Sequence, residues 1–119
     1  MLFRSLAVAA NAGLLAHGLN QDGLYLLDAK RALTTVPEGA LADWDPRDAT
    51  PCGWTGVSCD AEAGAVTGVS LAGANLVGPF PAALCRLPRL ASLDLNTNYF
   101  GPDVAVAGCK ALEIGRAHV

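Results

Sequence analysis

Val66-Thr67-Gly68-Val69-Ser70-Leu71-Ala72-Gly73-Ala74-Asn75-Leu76-Val77-Gly78-Pro79-Phe80-Pro81, taken up again one period later at Leu90-Ala91-Ser92-Leu93-Asp94-Leu95, decides the fold. In each unit the opening apolar residues fall three and then two apart: Val66, Val69, Leu71, then Leu90, Leu93, Leu95. A short strand at each site sends Val69 and Leu71, or Leu93 and Leu95, to one side, with Ser70 and Asp94 on the other. A period in the twenties built on such strands predicts a solenoid, each coil burying its apolar face against the next. Leu76, Leu84 and Leu87 supply the return side of the first coil, and Leu112 is read as the opening leucine of the next. That equivalence leaves the unit after Leu90 slightly shorter than the one before it. An amphipathic helix is excluded, because the glycines and prolines between Gly73 and Pro81 would break it.

Asn98 comes three places after Leu95, where the chain leaves the strand. An amide there can bond both a backbone N–H and a C=O that the bend would otherwise bury unpaired. The first unit has Ala74 at this position and Asn75 one place late.

Working upstream, Asp22 to Leu33 has helical spacing at Leu26, Ala29 and Leu33. Asn20 or Asp22 can cap its start, and Lys30 and Arg31 suit its negative end. Pro37 and Gly39 stop it, and Leu41 to Trp44 is expected to form a further turn. Further upstream, Arg4, the apolar stretch Ser5 to Ala16 and small residues up to Gly18 form an export signal, with cleavage expected after Gly18. The apolar stretch is short for a membrane span, and no other segment qualifies.

Composition narrows the function. A net charge of −3 over 119 residues, from 11 acidic and 8 basic side chains, offers no basic surface for nucleic acid or for an anionic membrane. Four cysteines in an exported chain favour disulfide over metal or catalytic use.

Asp43-Trp44, followed by Pro51-Cys52-Gly53-Trp54-Thr55-Gly56-Val57-Ser58-Cys59-Asp60, closely resembles the N-terminal cap of plant leucine-rich-repeat receptor-like kinases. With the repeat pattern from Val66 to Leu95, including Gly78 to Pro81, the resemblance spans about residues 20–112. Leu19-Asn20-Gln21-Asp22, Leu84-Cys85-Arg86-Leu87-Pro88 and Gly108-Cys109-Lys110 are most similar to the HAESA-like group. The resemblance implies an α/β fold: a leucine-rich-repeat solenoid fragment with a helical, disulfide-bearing N-terminal cap and about two short-strand repeats. It implies a signal peptide at 1–18, the cap at 19–63 and truncated repeats at 64–112. It also implies a Cys52–Cys59 bond, which would pin Trp54 and Val57 against the first strand, with Trp44 in the same cap core. By the chain-entropy estimate a loop this short contributes about 2 to 3 kcal/mol. Zinc would need three or four convergent ligands, and no histidine lies near these cysteines.

The implied function is recognition of a protein or peptide ligand outside the cell or at the outer face of the plasma membrane, largely through repeats absent here. The expected partners exclude nucleic acid, no cofactor or metal is expected, and no catalysis is expected of this chain. His17 and His118 stand in no constellation with a nucleophile, and the sequence has no kinase signature. Asp43, Asp45, Asp48 and Asp60 lack the spacing of a calcium loop and read as loop charges. Cys85 and Cys109 could bond each other, but are expected to be buried and unpaired. The strand positions facing outward are Gly68, Ser70 and Ala72, then Ser92, Asp94 and Asn96. Of these, Ser92, Asp94 and Asn96 are the possible contacts, with Tyr99 beside them.

Glu113-Ile114-Gly115-Arg116-Ala117-His118-Val119 is the translation of a common sequencing-library adapter, AGATCGGAAGAGCACACGTCTGA, read with one preceding G and followed by a stop. Residues 113–119 are therefore expected to be adapter-encoded, with the gene continuing. The competing expectation is a short secreted leucine-rich-repeat protein that binds a partner on its own.

Overall fold

The computed structural model describes residues 18–101 and the strand at 116–118; residues 1–17, 102–115 and 119 lie outside the described residues, and with them the export signal, Leu112 and Cys109. Helix α1 spans Gln21–Ala32, with Asn20 as its N-cap accepting from Gly23 N at 2.9 Å. Asp22, the other candidate cap, does something else. Its carboxylate accepts from Val66 N at 2.9 Å, tying the first turn of the helix to the start of the first repeat strand.

The strands are β1 (Val57–Cys59), β2 (Val66–Ser70), β3 (Val77–Gly78), β4 (Ser92–Asp94), β5 (Tyr99–Phe100) and β6 (Arg116–His118). One sheet runs β1-β2-β4-β6: β1 is antiparallel to β2, and the remaining pairs are parallel. Gly68 lies opposite Ser92 and Ser92 opposite Arg116, so both steps repeat the offset that carries Val66 onto Leu90. A strand thus forms within the adapter-like stretch, since parallel pairing uses backbone groups that any sequence supplies. A second, flanking sheet pairs β3 with β5, and the cap joins it through an antiparallel bridge between Thr35 and Val77. A short 3-10 helix, Ala82–Arg86, carries the first coil back.

Because β4 to β6 spans the full period, the second unit is not shorter overall, which corrects the expectation drawn from Leu112; the two coils differ only locally, at the bend. Gly73 N donates to Asn96 O, keeping the full period to the end of the concave strand, yet Val77 lies opposite Tyr99, two places short of it. Between those points the first coil has Ala74, Asn75 and Leu76, and the second has only Asn98. Gly73 and Thr97 occupy equivalent places, and both are left-handed, at φ +69° and +62°. Glycine takes that conformation freely, whereas a β-branched threonine does not.

Val66, Val69, Leu71, Leu76, Leu84, Leu87, Leu90, Leu93 and Leu95 are all buried, as are Leu26 and Ala29 of the helix and Trp44 and Trp54 of the cap. The two indoles stack with centroids 5.4 Å apart and planes at 22°. Trp44 Nε1 donates to Thr55 O at 3.1 Å and Trp54 Nε1 to Asp48 Oδ2 at 2.8 Å, so each buried N–H has a partner. Cys52 and Cys59 are bonded, with Cα atoms 5.5 Å apart. Gly56, inside that loop, has φ +83°, and a Cβ built there would lie 2.5 Å from Ser70 O. Ser70 N donates to Gly56 O at 2.7 Å, so the two backbones are in direct contact.

These placements give opposite signs for two substitutions. Gly56→Ala should destabilise the secreted chain by at least about 1 to 3 kcal/mol in urea unfolding, through left-handed strain and the backbone clash together. Thr97→Gly should leave stability unchanged or raise it by up to about 1 kcal/mol. A loss at Thr97 comparable with that at Gly56 would refute the strain assigned to the shortened bend.

Candidate binding face

The outward side of the main sheet is the candidate surface for recognition. Ser58, Gly68 and Ser92 form one row across β1, β2 and β4; Ser70 and Asp94 form the next. Ser58 and Ser70 are exposed, and Ser92 and Asp94 half-buried. Gly68, expected to face outward, is buried beneath its neighbours: a Cβ there would lie 2.9 Å from Ser92 Oγ and 3.5 Å from Ser58 Cβ. The face over the first coil is therefore flat and carries hydroxyls with no large side chain, unlike the aromatic and arginine anchors that dominate binding energies.

The second coil adds more chemistry. Asp94 Oδ1 accepts from Asn96 N at 3.1 Å, which orients the carboxylate along the strand. Asn96 is exposed, and Tyr99 is 64% exposed at the start of β5. Ser92, Asp94 and Asn96 thus lie along one strand and its exit, with Tyr99 on the adjoining flank.

Asn98 turns inward behind this face. Its Nδ2 lies 2.8 Å from Leu71 O and 3.0 Å from Leu95 O, and its Oδ1 accepts from Leu76 N at 2.9 Å. Two of these partners belong to the first coil, whose own position holds Ala74. One amide therefore serves both bends.

The cap acids each meet separate donors. Asp43 accepts from Thr55 N at 2.9 Å and Thr55 Oγ1 at 2.8 Å, and Asp45 from Arg47 N, Nε and Nη2. Asp60 accepts from Glu62 N and Ala63 N and lies 3.6 Å from Arg89. The Arg47 side chain holds the Asp45 carboxyl below its ordinary 3.8, and backbone N–H groups do the same for Asp60. Among the described residues no three His, Cys, Asp or Glu side chains come together as a metal site, and no helix is long and apolar enough to cross a membrane. Cys85 corrects the sequence expectation: it is half-buried, but it is disulfide-bonded rather than a reduced thiol. The links of Asp22 to Val66 and Asp43 to Thr55 also escaped sequence reading, because each joins residues distant in the chain whose meeting only the fold determines.

With cap, concave sheet and bends in place, the class is defined: the chain has the N-terminal cap and first repeats of a plant leucine-rich-repeat receptor-like kinase ectodomain. Residues 19–60 match the family described as the leucine rich repeat N-terminal domain. The chain is 44% identical to the receptor-like protein kinase HSL1 of Arabidopsis thaliana over 97 residues, 80% of this chain and 10% of that protein. It is 51% identical to receptor-like protein kinase 5 of the same plant over 81 residues, 67% of this chain and 8% of that protein. It also superposes on the Arabidopsis HAESA ectodomain crystallised with a N-terminal extended IDA peptide hormone, with TM-score 0.71 and 39% identity over 85% of this chain and 16% of that one. A second HAESA crystal structure, with the peptide hormone IDA and the co-receptor SERK1, gives TM-score 0.62 and 49% identity over 68% of this chain and 13% of that one. The chain thus spans about a tenth of the length of these curated relatives.

The carboxylate assignments predict an acid-labile cap. Because the folded-state pKa values of Asp45 and Asp60 lie below 3.8, their contribution is present above that value and lost as pH falls through the folded one. Melting temperature should therefore fall below about pH 4, and less steeply in an Asp45→Asn/Asp60→Asn double variant. An identical acid slope in the two proteins would contradict the assignment.

Proposed function

We propose that this chain is the N-terminal part of the ectodomain of a cell-surface receptor-like kinase, forming the capped end of a scaffold that recognises a secreted protein or peptide. The supporting observation is its 49% identity to an ectodomain crystallised with a peptide hormone and a co-receptor, over 68% of this chain. In this reading residues 1–18 are removed on export, 19–63 form the cap, 64–112 begin the repeats, and 113–119 are adapter-encoded. The fragment has no catalytic activity of its own and acts outside the cell. Its cap closes the solenoid, and repeats beyond it provide most of the ligand contacts. Ser92, Asp94 and Asn96 form the part of this stretch best suited to touch a ligand, since the hydroxyl-only face over the first coil offers little contact area.

The transcript provides the test. Its sequence should leave the adapter match after Leu112 and continue into further repeats, a membrane span and a kinase. The encoded ectodomain should bind a secreted plant peptide saturably in calorimetry, while residues 19–112 alone should show neither peptide binding nor phosphoryl transfer from ATP. Genomic sequence running through Val119 to a stop codon would overturn this reading in favour of a short secreted repeat protein.

A further inference from the structure

Charge on this chain is unevenly spread, although its net value is only −3. Across residues 64–101 the only basic side chains are Arg86 and Arg89, both on the return segment of the first coil, and the only acidic one is Asp94, on the concave strand β4. Arg86 closes the 3-10 helix, Arg89 follows three places later, and the exposed Pro88 restricts the backbone between them. A third arginine comes from the cap. The Asp28 carboxylate of α1 is hydrogen-bonded to Arg31 through Oδ1 and lies 3.9 Å from Arg86 through Oδ2, so one carboxylate stands between two guanidinium groups. We propose that Arg31, Arg86 and Arg89 form a docking surface for an acidic segment of a partner protein.

These arginines have donors to spare. The Arg86 and Arg89 side chains are 63% and 61% exposed, and the carboxylates they face, Asp28 at 3.9 Å and Asp60 at 3.6 Å, lie beyond hydrogen-bond distance. A guanidinium presents its N–H donors in a planar fork that matches a carboxylate through parallel bonds. An incoming carboxylate can therefore engage Arg86 and Arg89 without displacing Arg31 from Asp28. The three cations outnumber the two resident anions, Asp28 and Asp60, by one, so the surface favours an acidic partner and salt screens the attraction.

An apolar neighbour points to protein. Leu24 is 42% exposed and lies four residues before Asp28 and seven before Arg31, the spacing that puts all three on one stripe of α1. A carboxylated polysaccharide would leave Leu24 in water, whereas a peptide can lay an apolar side chain over it beside its acids. The arginines belong to the cap helix and the return segment, not to the concave sheet. This surface is therefore separate from Ser92, Asp94 and Asn96 and does not depend on the receptor reading.

The test uses the full secreted chain and a fluorescein-labelled peptide of leucine-glutamate-glutamate repeats, read by fluorescence anisotropy. Binding should be saturable and should weaken as salt is raised. Affinity should fall about tenfold in Arg86→Ala/Arg89→Ala, rise about threefold in Asp28→Asn and hold in Arg47→Ala, since the Arg47 guanidinium is already bound to Asp45. Leu24→Ser should bind this peptide no better than an all-glutamate one. Absence of saturable binding to the wild-type chain overturns the proposal, as does an equal loss in Arg47→Ala, a failure of Asp28→Asn to tighten binding, or wild-type affinity in Leu24→Ser. Tighter binding of polygalacturonate than of the peptide would assign the arginines to a polysaccharide. A dimer in sedimentation that Arg86→Ala/Arg89→Ala abolishes would assign them to a second copy of this chain. Either result refutes the proposal. Should a variant fail to fold, the wild-type chain's preference for the mixed peptide over the all-glutamate peptide and polygalacturonate decides.

Discussion

A solenoid buries its leucines only against a neighbouring coil, so its first coil has an apolar face with no partner, and everything from α1 to β1 answers that constraint. Helix α1 lays Leu26 and Ala29 over the open end, Leu41 and the Trp44–Trp54 pair extend the cover, and the Cys52–Cys59 bond fixes the loop that brings Trp54 and β1 onto β2. The outer side of the helix is mixed, with Gln21 and Arg31 exposed beside Leu24. Asp22 and Asp43 face inward only far enough to meet Val66 N and Thr55 N, which would otherwise lack partners. The cap thus combines an apolar lid, a covalent loop and carboxylate ties between segments distant in sequence.

The same demand for satisfied backbone groups shapes the bends. The concave strands must turn outward once per coil, and Asn98 makes this possible by serving Leu95 of its own coil and Leu71 and Leu76 of the preceding one. Ala74 is tolerated because the amide of the next coil reaches back. The two-place offset of the flanking sheet arises at this well-bonded point, where Thr97 takes the left-handed conformation that Gly73 adopts in the first coil. Ser92, Asp94 and Asn96 of the candidate face lead directly into the residue that locks the bend.

Much of this architecture was legible because it rests on local rules. Leucine spacing three and then two apart marks short strands, Asn20 has the chemistry of a helix cap, and Asn98 sits where a bend needs both donor and acceptor. Other features depend on tertiary meeting and leave no local trace. The strands of the flanking sheet, Val77–Gly78 and Tyr99–Phe100, are too short to carry a pattern. The burial of Gly68 reflects serines on two other strands, and the bonded state of Cys85 depends on which cysteine the coil brings near. The candidate face was located from alternation alone, but its flat, hydroxyl-rich character over the first coil emerged only with the register of β1 against β2.

The disulfide-bearing cap closes the first coil. Hydrogen exchange on the secreted chain and on a Cys52→Ala/Cys59→Ala variant tests this most directly, read at the amides of α1, β2 and β4. Opening the loop should accelerate exchange about 30- to 100-fold in α1 and β2, the equivalent of about 2 to 3 kcal/mol, with a smaller effect in β4. Equal protection of β2 in the two proteins would contradict the claim and show that the repeats close without their cap.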